Sequence, residues 1–245
     1  MPDGRPLEAE LEPARPNPPL LIVDTDVLVQ LLLGNEFRPL RELKRCYRVQ
    51  LAIVEAVEME IRTPFAGKSL RRYLSTIEPR LQKALGNGTL LLLDGRTFPS
   101  VVGTGAHAVE TQISITATRY HRIVDYGEAY SHATAAIFGV PIMSHDFTAV
   151  RALQRAGEQV THHLLRAFDL YTFSHQCNVL SVKECDDLRQ ALARHGEWLP
   201  DAFLKRSFPD GLAIFYARLL DRDSLAVGSV QPLELYDIRL LLGKS

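Results

Sequence analysis

Four short, largely apolar runs divide this chain: LLIV (20–23), VQLAI (49–53, with Gln50 its one polar residue), LLLL (90–93) and the apolar stretch of VPIMS (140–144). None alternates with polar residues, so each predicts a strand covered on both faces. Between them the spacing turns helical. VLVQLLLG (27–34) predicts a helix closed by Gly34, with Asp26 placed to cap its start. RPLRELKRCY (38–47) is amphipathic, and VEAVEMEIR (54–62) follows the second strand. KSLRRYLSTIEPRLQKAL (68–85) predicts one or two helices broken near Pro79 and stopped by Gly86 and Gly88. Residues 95–106, rich in Gly, Thr and Ser, read as a loop. HAVETQISITATRYHR (107–122), EAYSHATAAIFG (128–139) and FTAVRALQRAG (147–157) complete the helical segments of this region. Alternation of this kind predicts an α/β fold, with a parallel sheet of four or five strands flanked by helices.

The rest of the chain is helical in pattern. LLRAFDLYTFSHQC (164–177) has apolar residues at helical spacing, and Ser181 with Glu184 forms a capping box for a helix running to Gly196. Further helices are expected at 210–221 and 232–242, with Trp198, Leu199 and Phe203 packing among them. Residues 1–18 hold five prolines and read as a mobile tail. The expected organisation is therefore a tail (1–18), an α/β domain (19–163) and a helical extension packed on it (164–245).

Composition narrows the function classes. With 28 basic and 29 acidic residues in 245 the net charge is −1, so no overall basic coat serves nucleic acid and any such contact must be local. Cys46, Cys177 and Cys185 are odd in number and widely spread, without a Cys-x-x-Cys pair. Neither a zinc site nor a disulfide framework is expected, and a reducing cytoplasm fits. No apolar run reaches the roughly 18 residues of a membrane span.

The chemistry lies in the acids. In an open α/β sheet, ligands bind beyond the carboxyl ends of the strands. Asp24 follows LLIV, Asp146 follows VPIMS, Glu60 lies on the helix after the second strand, and Glu128 opens the helix before VPIMS. Four acids from four segments can thus meet above one sheet edge. Clustered carboxylates repel one another unless a cation neutralises them, and Mg²⁺ or Mn²⁺ takes such hard oxygen ligands. A two-ion site, with metals about 3.5–4 Å apart, activates water for phosphodiester cleavage. Each acid also has a structural reading. Asp24, Asp26 and Asp146 suit helix caps, Glu60 competes with Glu55 and Glu58, and Glu128 gains from the helix dipole.

The order of these motifs resembles the PIN domain family, over about residues 20–195. LLIVDTDVLVQLL (20–32) is similar to the family's opening strand and Asp-Thr-x-Val/Leu-Leu turn. AVEMEI (56–61) puts Glu60 in the Val-x-x-Glu position. EAYSHATAAIFGVPIMSHD (128–146) follows the third acid, small-residue helix and apolar strand, with Ser144 in the Thr/Ser place before Asp146. Gly127-Glu128-Ala129 resembles the Gly-Glu-Ala variant of one PIN branch.

The resemblance implies a metal-dependent endoribonuclease. Asp24, Glu60, Glu128 and Asp146 would be its catalytic and metal-binding residues, with Mg²⁺ or Mn²⁺ as cofactor and single-stranded or structured RNA as substrate. Asp26, Ser144 and His132 are expected to support these acids from behind. Arg71, Arg72, Arg119 and Arg122 form the best local basic clusters and are expected to guide the RNA backbone. A homo-oligomer and a regulatory protein partner stay open, and no membrane partner is expected. The extra sequence between Glu60 and Glu128 and after 195 departs from small toxin members.

Two other readings stand beside this one. A PIN-like RNA- or protein-binding module would keep the fold without turnover. An Asp-x-Asp phosphatase would prefer Thr or Val where Leu28 stands, and its later Gly-Asp-x-x-x-Asp loop is not evident. His162 and His163, adjacent in sequence, point apart and do not predict a shared metal.

Overall fold

A computed structural model of the chain describes residues 16–62, 72–160, 164–176, 178–194 and 206–211. Five parallel strands form one sheet: β1 (Leu20–Val23), β2 (Gln50–Val54), β3 (Leu90–Leu93), β4 (Ile142–Met143) and β5 (Leu164–Leu165), in the order β3-β2-β1-β4-β5. The α/β fold expected from the apolar runs is the fold observed. Among the described residues no helix is long and apolar enough to cross a membrane.

Alternate side chains of the central strands feed two cores, as period-two geometry requires. Leu21, Val23, Leu51 and Ile53 face one core. There they meet α1 (Thr25–Gly34), α2 (Arg38–Tyr47), α3 (Glu55–Arg62), α4 (Leu74–Gly86), α9 (Ala167–Gln176) and α10 (Val182–Arg194). Leu20, Ile22 and Ala52 face the other, formed with α5 (Phe98–Val102), α6 (Ala106–Tyr120), α7 (Tyr126–Phe138) and α8 (Phe147–Arg155). The chain winds from β1 outward to β3, then returns to the far side of β1 as β4. The order therefore reverses between β1 and β4, and beyond the carboxyl ends of the strands at such a reversal lies the crevice where open α/β sheets bind their ligands.

Several local expectations are corrected. α1 is capped by Asp24, which accepts the N–H of Thr25, while Asp26 accepts that of Val27. α1 ends at Asn35, in the left-handed region, rather than by a turn at Gly34. A Cβ on Gly34 would stand 3.0 Å from Leu188, so that glycine allows α1 to pack against α10. Pro79 lies inside a single helix, α4, because Ile77, Leu81 and Ala84 bury one face of it and offset the lost backbone bond.

The loop expected at 95–106 contains α5, anchored by Phe98 and Val101 at i, i+3 spacing. Leu164 and Leu165 form a strand, so the segment expected as purely helical begins by completing the sheet. The end of the tail is tied down too, since Asn17 donates its N–H to the Val101 carbonyl.

Other expectations agree. α7 ends at Gly139 in the left-handed region (φ 62°). Ser181 and Glu184 exchange capping bonds, each backbone N–H meeting the other's side chain. His162, His163, Trp198, Leu199, Phe203, Arg71, and the helices of 210–221 and 232–242 beyond the turn at 208–211, lie outside the described residues.

Candidate functional site

The carboxyl ends of β1 and β4 deliver Asp24 and Ser144–Asp146 to the two sides of the crevice. Asp24 is 2% exposed. It takes the Thr25 N–H at 2.8 Å and a longer contact from the Ser131 hydroxyl of α7 at 3.4 Å. Asp26 reaches across the crevice and accepts the His145 N–H at 2.8 Å. Asp146 caps α8 by accepting the N–H groups of Thr148 and Ala149, and its own N–H donates to the Ser144 hydroxyl.

The three glutamates of α3 separate cleanly. Glu58 pairs with Arg62 at 2.7 Å, and Glu55 is exposed at the helix start. Glu60 turns towards the crevice, where Thr25 Oγ1 donates to it at 2.5 Å and Gly127 N at 2.8 Å. Gly127 is glycine for a visible reason: a Cβ there would lie 2.4–2.6 Å from the Glu60 carboxylate.

Electrostatics binds these acids into one group. The Asp24 carboxyl titrates well above its ordinary value, through burial first and then through the charges of Asp26, Glu128 and Glu60. Glu128 is pushed up to about 8 by burial and next by Asp146. Asp26 is raised to about 6, again by burial first. His132, one turn after Glu128, is fully buried and held down to about 4, so it is a neutral side chain in the wall. His145 is likewise held down to about 4 by burial and by Arg166, and its Nε2 meets Gln30 Oε1 at 3.0 Å.

Among the described residues, however, no three His, Cys, Asp or Glu side chains lie close enough together to hold a metal ion as they stand. The two observations measure different ranges. Charges repel across several ångströms, whereas metal–oxygen bonds span only about 2 Å. Asp24, Asp26, Glu60, Glu128 and Asp146 thus share one rim, while backbone and hydroxyl donors hold Asp24, Asp26, Glu60 and Asp146 apart. Their all-oxygen chemistry suits Mg²⁺ or Mn²⁺; a closed ligand shell would need some of those bonds exchanged.

Thr25, Ser131 and the Gly127 N–H were not among the expected site residues. The i, i+3 spacing of Glu128 and Ser131, which puts them on one helix face, was the available signal for Ser131. Of the arginines, Arg119 is paired with Glu158 at 2.7 Å, Arg72 lies over the Tyr73 ring at 4.4 Å, and Arg122 is exposed. Scanned against family models, curated proteins and solved structures, the chain gives no match.

Two expected outcomes follow from this geometry. Ala at position 127 should displace the Glu60 carboxylate and lose a hydrogen bond worth about 1 kcal/mol. The unfolding midpoint should therefore move little, while any activity resting on Glu60 falls by about 10²-fold. Adding Glu60→Ala to Gly127→Ala should then cost almost nothing more, and additive losses in that double-mutant cycle would refute the coupling.

The second outcome concerns pH. Glu128 binds its proton more tightly folded than unfolded. The stability this brings is whole below its ordinary value of 4.5 and is lost as pH rises towards about 8. The depressed histidines act in the opposite sense, costing stability as pH falls from 6.5 towards 4. Between pH 6.5 and 8 the carboxylates alone of these groups set the slope, so the midpoint in EDTA should fall across that interval. Glu128→Gln should flatten the fall, and an unchanged slope would dissociate it from Glu128.

Proposed function

We propose that this chain is a metal-dependent endoribonuclease of the PIN-like type, acting on RNA through Asp24, Glu60, Glu128 and Asp146. The supporting observation is the mutual repulsion of these acids and Asp26 at the β1/β4 reversal. Carboxylates gathered at a cost first in burial and then in repulsion are what a divalent cation would stabilise. Mg²⁺ or Mn²⁺ held by these acids would lower the pKa of a bound water and neutralise charge on the phosphate.

The chain's own part is placement. Thr25 and Gly127 fix Glu60, the start of α8 fixes Asp146, and the Thr25 N–H orients Asp24. His132 stays neutral behind them. Arg71, Arg72, Arg119 and Arg122 belong to the proposal as backbone guides, with Arg119 first having to leave Glu158. A reducing, cytoplasmic setting completes it.

One observation favours a second reading, a PIN-like binding module without turnover: several of the carboxylates are already satisfied by hydrogen bonds. Incubating the protein with a mixed RNA pool in Mg²⁺, Mn²⁺ or EDTA separates the two. Cleavage only with metal is expected; intact RNA in all three, with the protein folded, would leave the binding module.

A further inference from the structure

A cavity of about 190 Å³ opens beside the carboxylate rim, beyond the ends of β2 and β3. It is smaller than the ~300–1,000 Å³ pockets that enclose whole small molecules, and suits one ring system. Tyr126, Tyr130, Met59 and Phe98 line it, together with Glu55 and Glu110. Every charged group lining it is a carboxylate. A third one, Asp94, is already engaged by the N–H groups of Arg96 and Thr97.

The same two helices build both the cavity and the rim, on adjacent faces. On α3, Glu55 and Met59 line the cavity while Glu60 faces the acids. On α7, Tyr126, Tyr130 and Thr134 repeat every fourth residue along the cavity, while Gly127, Glu128 and Ser131 face the rim. A ligand filling the cavity therefore lies next to whatever the acids hold.

The cavity wall is built for a flat partner. Tyr126 is 42% exposed, tilted at 53° to Tyr130 with centroids 4.8 Å apart, and edge-on to His121. Exposed Met59 adds a polarisable contact. Glu55 lies close enough for its charge to act on the Tyr126 hydroxyl.

We infer that this cavity is a guanine subsite: the base stacks on Tyr126 and donates N1–H and an N2–H to the Glu55 carboxylate, beside a phosphodiester held at the rim. The inference rests on the nuclease reading above. Guanine is the natural base that places two donors side by side on its Watson–Crick edge, matching a carboxylate's two acceptors. Adenine and cytosine pair a donor with a ring acceptor, and uracil flanks its one donor with carbonyls. A negatively lined cavity repels those acceptors, and aromatic stacking adds affinity that no base edge controls.

Saturation-transfer NMR on the full chain in EDTA tests this with four neutral nucleosides, guanosine, inosine, adenosine and cytidine, and with arginine amide as a cationic control. Guanosine should bind most tightly, and inosine, lacking the 2-amino group, about tenfold more weakly. Tyr126→Ala and Glu55→Gln should each weaken guanosine about tenfold, whereas Tyr126→Phe should keep it. Equal binding of all four nucleosides, no effect of Glu55→Gln, or preference for arginine amide would overturn the subsite, the last pointing to a cation pocket. Metal-dependent cleavage is read separately on the RNA pool. Guanosine binding without cleavage would remove the nuclease reading and leave the subsite; cleavage unbiased towards guanosine would remove the subsite and leave the nuclease.

Discussion

Asp24→Asn is expected to abolish Mg²⁺- and Mn²⁺-dependent RNA cleavage while making the metal-free protein more heat-stable at pH 8. Asn keeps an oxygen to accept the Thr25 N–H, so the cap of α1 survives. It removes a charge that is 2% exposed and pressed by Asp26, Glu128 and Glu60. Because the folded-state pKa of Asp24 is raised, its ionised form opposes folding at pH 8, and the neutral amide relieves that penalty.

The same change takes away an anionic ligand, for which a loss of at least about 10²-fold is a reasonable floor. Thermal unfolding with and without Mn²⁺ provides the second readout. Mn²⁺ should raise the wild-type midpoint by mass action and leave the variant's nearly unmoved. Full cleavage by Asp24→Asn, or an equal Mn²⁺ shift in both proteins, would end the metal-site reading.

Asp169→Ala should be strongly destabilising. Arg166 and Asp169 are 4% and 2% exposed and meet through two side-chain bonds, Nε–Oδ2 at 2.8 Å and Nη2–Oδ1 at 2.9 Å. The Arg166 N–H adds a third bond to the same carboxylate. Truncating Asp169 takes three hydrogen bonds and a counter-charge from buried Arg166, and breaking a buried pair in this way costs about 3–5 kcal/mol. Replacing both residues together, as Arg166→Met with Asp169→Leu, should recover most of that loss, since the pair's own attraction is largely offset by its desolvation. Urea titration of the unaltered protein and these two variants measures this. A loss below about 1 kcal/mol for Asp169→Ala would mean that solvent reaches Arg166.

The expectation of a parallel sheet rested on short apolar runs alternating with helical segments; in LLIV and LLLL the apolar character is unbroken, as burial on both faces requires. Leu164–Leu165 was hidden because two residues carry no period and merge with the helix that follows. α5 was hidden by its Pro, Gly and Thr surroundings; only the spacing of Phe98 and Val101 marks it. At the candidate site, Asp24 and Asp146 were legible as acids at strand ends. Glu60 was legible only through a resemblance, because its pattern does not distinguish it from Glu55 and Glu58 until Gly127 and Thr25 are set against it. The cap of α1 was misplaced by two residues because either aspartate of Asp-Thr-Asp suits the role.

The two-residue β5 has a consequence for how the protein is made. All of the candidate acids are translated by residue 146. The strand carrying Asp146 nevertheless depends on chain that follows it, since the Ser144 N–H donates to the Leu165 carbonyl at 2.8 Å. A chain ending before Leu165 would contain every acid and leave the outer edge of β4 unpaired. Synthesis at about 5–20 residues per second puts roughly one to four seconds between the last acid and the strand that locks it. β1, made early, can set the register of β4, but the bond that closes its outer edge is available only once Leu165 has been made.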